Sequence, residues 1–174
     1  SALEVIATLL VASVRVKVML RSKSAAEVVE ALKLITSLVN FAVRGSIQLY
    51  FKSADLIFHA DKSVVAECKN AFRNIFLVHG DTLLAPAEVA ENLMEVFAQC
   101  DESCKKAVEA IVTSMFTTDG ASGVDDVAVS SCLWKVEAES PPQSAKVGTA
   151  MRILTLMASN ASADEGDNSP VLTW

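Results

Sequence analysis

Apolar positions along this chain recur at helical spacing behind a ladder of helix-start residues. Ser24, Asp61, Asp101 and Ser140 stand 37, 40 and 39 residues apart. Seven residues after each come Ala31, Cys68, Val108 and Val147; eleven after come Ile35, Phe72, Val112 and Met151; fourteen after come Leu38, Ile75, Met115 and Leu154. Those offsets put three side chains on one stripe of a helix. A period near ~40 residues with helices inside it predicts stacked helix pairs of the HEAT or armadillo kind. The pattern therefore predicts an all-α fold without β-sheet: a HEAT-repeat-like right-handed helical solenoid of about four antiparallel helix pairs. Residues 1–160 form a single array in this reading. Residues 160–174 form an acidic tail leading into a truncated next repeat.

The individual helices follow from caps and breakers. The first pair is Ala2–Leu20 and Ala25–Val43, with Ser24 and Glu27 as a capping box and Gly45 as the residue that ends the second helix. The second pair is Ser46–His59 and Lys62–Val78, broken by His79-Gly80-Asp81. Pro86 opens Pro86–Gln99, as proline does in a first turn, and Asp101 caps a helix running to Phe116. A polar loop over Thr117–Gly123 precedes Val124–Val136. Ser140 with Gln143 forms a second capping box and opens a helix to Ser159.

Composition supports closely packed helices. Hydrophobic residues make up 52% of the 174 positions but aromatics only 6%. A β-sandwich would want more aromatic and Thr-rich strands. The high mean hydropathy suits a piece of a longer solenoid, whose end faces neighbouring repeats would cover. The longest apolar run, Val5 to Val14, is shorter than the roughly 20 residues of a membrane span and follows no basic leader region. Cys68, Cys100, Cys104 and Cys132 contain no CxxC, and Cys68 lies on the buried stripe. Free buried thiols of this kind suit a reducing compartment. Charge is uneven. Residues 1–80 carry ten Lys/Arg and six Asp/Glu, a balance of +4; residues 81–174 carry five and fifteen, a balance of −10. The two halves are therefore expected to face different partners.

Leu20-Arg21-Ser22-Lys23-Ser24 with Glu27-Val28-Val29-Glu30-Ala31 resembles a stretch of the D-type HEAT subunit of condensin. So do Asp61-Lys62-Ser63-Val64 through Ala71-Phe72-Arg73-Asn74-Ile75-Phe76-Leu77, Leu133-Trp134, and Ala150 with Leu154 through Ala158. The likeness spans about residues 18–160, a small internal part of a much longer subunit. Val65 departs from it, standing where HEAT helices often carry Lys or Arg. The resemblance implies a scaffold that holds the kleisin subunit beside the SMC ATPase subunits and DNA. It implies a place in the nucleus and cytoplasm, on chromosomes in mitosis, with the ATPase in the SMC partners.

No GxSxG, GxxxxGK[ST], HExxH or GxGxxG occurs, so an unrelated helical enzyme domain is the least favoured class, and no cofactor is expected. His59 and His79 fall at predicted helix ends, where imidazoles meet terminal carbonyls. Cys100 and Cys104 are four apart but separated by a helix start, so the spacing does not place them on one face; a zinc site would lack two further ligands. The candidate partner or phosphate contacts are Lys62, Lys69 and Arg73, at offsets of seven and eleven on one helix, with Arg15, Lys17, Arg21 and Lys23. A solvated face accounts for the same residues. Glu88, Glu91 and Glu95 form an acidic ridge that reads as solvated and repels nucleic acid, so DNA contact is weak or indirect. Trp134 reads as core. Ser169-Pro170 has the form of a proline-directed phosphorylation site. The alternative to the condensin scaffold is another HEAT or armadillo scaffold, a transport or adaptor protein that binds peptide segments.

Overall fold

Abundant Ala, Leu, Glu and Lys with only six glycines favour helix despite many valines, and helices dominate the computed structural model. It describes residues 11–12, 14–116, 123–141 and 144–159. The expected helix start at Ala2, most of the expected loop over Thr117–Gly123, the expected capping residue Gln143, and the expected tail 160–174 with Ser169 lie outside the described residues. The helices are α1 (described over 14–19), α2 (Ala25–Asn40), α3 (Ser46–Ser53), α4 (Lys62–Phe76), α5 (Pro86–Gln99), α6 (Glu102–Met115), α7 (Asp126–Glu139) and α8 (Ala145–Ala158). The contacts cluster into two compact units: residues 1–83 with 100–111, and residues 84–99 with 112–174.

In the first unit α2 lies against both α3 and α4, and α4 also packs on a 3-10 turn, Ala54–Phe58, that continues α3. Leu32, Ile35 and Leu38 of α2 and Cys68, Ala71 and Phe72 of α4 lie in the core where these helices pack; each has an exposure of 1% or less. Burying each large side chain there contributes about 1.5–3 kcal/mol. An aromatic cluster extends this core, with Phe76 ring centroids 5.0 Å from Phe72 and 6.3 Å from Phe51.

The caps sort into those that bond and those that do not. Asp61 accepts from the Ser63 amide at 2.8 Å and from the Ser63 hydroxyl at 2.6 Å. Asp101 accepts from the amides of Ser103 (2.9 Å) and Cys104 (3.0 Å). These bonds, the Ser hydroxyls first, hold both carboxyls below their ordinary range. Ser24 is at the N-cap of α2 but its side chain makes no capping bond; its own amide donates to the Ser22 hydroxyl at 3.0 Å. The Ser24–Glu27 capping box is therefore not formed, because the nearer serine takes the amide that Glu27 would have reached.

The end of α2 also differs from expectation. The helix stops at Asn40 rather than Val43, in a Schellman turn: the Ala42 amide donates to the Val39 carbonyl (2.8 Å) and the Val43 amide to the Leu38 carbonyl (2.9 Å). The left-handed residue of that turn is Ala42, at φ 52°. Gly45, also left-handed at φ 84°, does not end α2; it is the N-cap of α3.

A two-residue ribbon corrects the expectation of no sheet. β1 (Val78–His79) and β2 (Thr82–Leu83) pair antiparallel, Val78 opposite Leu83 and His79 opposite Thr82. Gly80 supplies the positive φ, 61°, that so tight a reversal needs. Only Val78 of the four strand residues is buried, so the ribbon edges the core without entering it.

In the second unit α5 packs on α7 and α8, and α7 packs on α8. Pro86 opens α5 as expected, and the Glu88 carboxylate accepts from the Ala85 amide at 3.1 Å. The fourth cap is misplaced in the sequence reading. Ser140 is the C-cap of α7, which runs to Glu139 and starts at Asp126 behind the capping carboxylate of Asp125. Helix α8 begins behind Ser144, whose hydroxyl accepts from the Lys146 amide at 3.2 Å. The apolar ladder thus holds at Ile35, Phe72 and Val112, all fully buried, and fails at Met151, which is 38% exposed. Ala150, Ile153, Leu154 and Met157 form the inner face of α8 instead. Trp134 is corrected as well: it is 51% exposed while its neighbour Leu133 is in the core.

Candidate interaction surfaces

The basic residues singled out in the sequence occupy the outside of the first unit. Val64, Cys68, Ala71 and Phe72 take the inner face of α4. Lys62 is exposed, and Lys69 and Arg73 are half-buried, so their aliphatic stems cover protein surface. Arg15, Lys17, Arg21 and Lys23 are all exposed. On α1 the apolar Val16 is fully buried, whereas Val11, Val14 and Val18 are each more than 60% exposed. The surface where α2 meets α4 is mixed in charge. Lys33 binds Glu30 at 2.8 Å, and its ammonium is held above the ordinary lysine range by that bond, by the Glu30 charge and, more weakly, by Glu67 of α4. These carboxylates make the surface around Lys33 mixed in charge rather than uniformly basic.

The second unit carries an open groove of about 710 Å³ between α5, α7 and α8. Glu91 and Glu95 of α5, Glu139 at the end of α7 and Lys146 of α8 are exposed and stand at its rim; half-buried Met94 and Val136 line its interior. Three carboxylates against one ammonium leave it net negative. Glu95 also accepts from the Gln99 amide group at 2.8 Å, which orders that wall. The acidic ridge is thus divided. Glu88 is engaged at the start of α5, and Glu91 and Glu95 line a concave surface. Sequence reasoning missed the groove because its third carboxylate, Glu139, arrives only through the packing of α7 on α5.

The remaining polar candidates fall into distinct settings. The His59 ring does not meet a helix-end carbonyl; its Nδ1 accepts from the Asp61 amide at 3.0 Å. His79 lies on β1. Cys68 is fully buried, its thiol facing the Ala54 carbonyl at 3.8 Å; burial pushes that thiol up to about 12, against a small opposing effect from Lys69. Cys132 is half-buried and unpaired. Cys100 and Cys104, whose relation the spacing left open, come together: their sulfurs are in contact as a disulfide pair, with Cα atoms 6.1 Å apart. Among the described residues no group of three or more His, Cys, Asp or Glu is placed to hold a metal, and no helix is long and apolar enough to cross a membrane. No family model, curated protein or solved structure matches this chain.

Proposed function

We propose that this chain is a non-catalytic scaffold segment of HEAT type, belonging to a D-type regulatory subunit of condensin. In this reading it supports assembly of the kleisin with the SMC ATPase subunits during mitotic chromosome condensation, in the nucleus and cytoplasm and on chromosomes. The observation that carries the scaffold reading is skip-one packing. Helix α2 lies against α4, and α5 against α7, besides the neighbours they meet in sequence. Stacked helix pairs produce that pattern, because equivalent helices of successive repeats pack side by side. The condensin assignment adds the sequence likeness in α2, α4 and α8. The test mixes the purified chain with recombinant kleisin, and separately with SMC head domains, and follows co-elution by size-exclusion chromatography. Co-elution with the kleisin is expected. Its failure for both this chain and the full-length subunit would end the condensin reading.

A second reading is supported by the groove of the second unit. A transport or adaptor scaffold that binds peptide segments would use an apolar floor with carboxylates at the rim to hold a Lys/Arg-rich segment. Titration with such a peptide, and with its acidic counterpart, separates the two readings: tight, charge-selective peptide binding without kleisin binding favours the adaptor.

A further inference from the structure

The four cysteines occupy three chemical situations, and only one of them suits reversible chemistry. Cys68 is sealed in the core and holds its proton tightly. Cys132 stands apart on α7. Cys100 and Cys104 lie together where the chain enters α6. Asp101 creates that juxtaposition. Its carboxylate caps α6 by accepting from the Ser103 and Cys104 amides, which turns the chain so that Cys104, on the first helical turn, comes back beneath Cys100. A Cα separation of 6.1 Å is within the range a disulfide spans without moving the backbone. Exposure divides the pair: Cys100 is half-buried and reachable, whereas Cys104 is only 6% exposed.

We propose that Cys100 and Cys104 form a thiol–disulfide exchange site, reversibly oxidised by small-molecule disulfides of the glutathione class. The Cys100 thiolate attacks one sulfur of the reagent. A Cys100–reagent bond forms, the reagent's own S–S bond breaks, and the first reagent thiolate leaves and takes up a proton. The Cys104 thiolate then attacks the Cys100 sulfur, forms the Cys100–Cys104 bond and expels the second reagent thiolate, which is also protonated. Two protein thiols have lost two electrons and two protons, and the reagent has become two thiols. Cys100 is the entry residue because it is the accessible one. Cys104 resolves the mixed disulfide because the capped turn holds it in contact. The bridge closes over Asp101, so oxidation ties Cys100, two residues before α6, to the first turn of that helix.

The test equilibrates the full chain in buffers of rising oxidised-to-reduced glutathione ratio. Samples are quenched with acid, alkylated and mapped by peptide mass spectrometry. The expected result is an intramolecular Cys100–Cys104 bridge, with Cys68 unmodified unless the chain is unfolded. Cys104→Ser should stop the sequence halfway and accumulate glutathione on Cys100. Cys132→Ser should change neither result. Amide exchange over residues 102–105 should slow several-fold on oxidation, which reports the tie independently of the mapping. Separate glutathione adducts on Cys100 and Cys104 in the wild type would overturn the proposal. So would a bridge that uses Cys132 or a second chain. If Cys104→Ser does not fold, Cys100→Ser serves instead: it should leave Cys104 unmodified, and ready modification of Cys104 would refute the assigned order of attack.

Discussion

The ring of Tyr50 stands edge-on to Phe76, centroids 5.7 Å apart and planes at 66°, while its buried hydroxyl has no hydrogen-bond partner among the described residues. The contact explains why an aromatic is needed at position 50, and the orphaned hydroxyl shows that its oxygen is not. A buried unsatisfied hydroxyl costs about 1–3 kcal/mol. Tyr50→Phe keeps the ring and removes that cost. It should leave stability unchanged or raise it by about 1 kcal/mol, which is roughly 2–4 °C in a thermal melt for a chain of this size. A clear loss of stability would mean that the hydroxyl is satisfied in solution.

The same core sets the response to alkali. Burial raises the Tyr50 phenol well above 10.0, with a further push from the Cys68 charge, and burial raises the Cys68 thiol from 9.0 to about 12. The folded chain therefore keeps protons that the unfolded chain releases. Stability from this source is complete below the unfolded values and declines as pH rises from 9.0 through about 12. Each titrating group steepens the decline by up to about 1.4 kcal/mol per pH unit. Urea melts from about pH 8 to about pH 10.5 should show the fall. Cys68→Ala should flatten it.

Ala42 occupies a left-handed position that costs a residue with a Cβ about 1–2 kcal/mol. Ala42→Gly relieves that cost and gives back part of it as unfolded-state entropy. A net gain of about 0.5–1 kcal/mol is expected, read as a higher urea midpoint at unchanged slope. Ala42→Val should move the midpoint the other way.

Phe72 is fully buried and touches Phe76 at the centre of the first unit. Phe72→Ala should cost roughly 3–5 kcal/mol. A melt within a degree or two of wild type would remove Phe72 from the core.

The charged surfaces make opposite predictions. The chain should bind duplex DNA only at the non-specific micromolar level or weaker, with steep salt dependence, and Lys62→Glu with Lys69→Glu should weaken it further. Fluorescence anisotropy at low and physiological salt measures this; tight binding at physiological salt would contradict it. Glu91→Lys with Glu95→Lys should leave DNA binding no weaker while abolishing any affinity of the groove for a basic peptide.

What could be read in the sequence follows the range of the forces involved. Asp61 and Asp101 were legible as caps because a carboxylate two residues before a serine has strong local bonds to make, and both make them. Ser24 and Ser140 looked equivalent, but a serine competes weakly. Ser22 displaced the expected box at the first, and Pro141 left Ser140 as the end of α7 rather than the start of α8. A cap set at Ser140 instead of Ser144 shifts the register of α8 and puts Met151 on the inner face that Ala150, Ile153, Leu154 and Met157 occupy. Trp134 differs for another reason: its apolar neighbours Leu133 and Val136 suggest a core position, but only the packing of α7 on α5 and α8 decides which side of Leu133 is covered. The groove and the Cys100–Cys104 pair were illegible for a third reason. The groove exists only once α5, α7 and α8 have packed together, and the Cys100–Cys104 contact, though local, depends on how the capped turn between them is shaped, which a spacing of four does not state.

Skip-one packing has a consequence for how the chain acquires its structure. Among the described elements α2 packs on α3 and α4, and α5 on α7 and α8, so these contacts reach one to three elements along the chain rather than from one end to the other. Few long loops must close before contacts begin to form, and the entropic barrier set by loop closure is low. Folding should therefore be rapid and able to begin in either group of helices, with a substitution such as Phe72→Ala slowing or loosening its own group before the other.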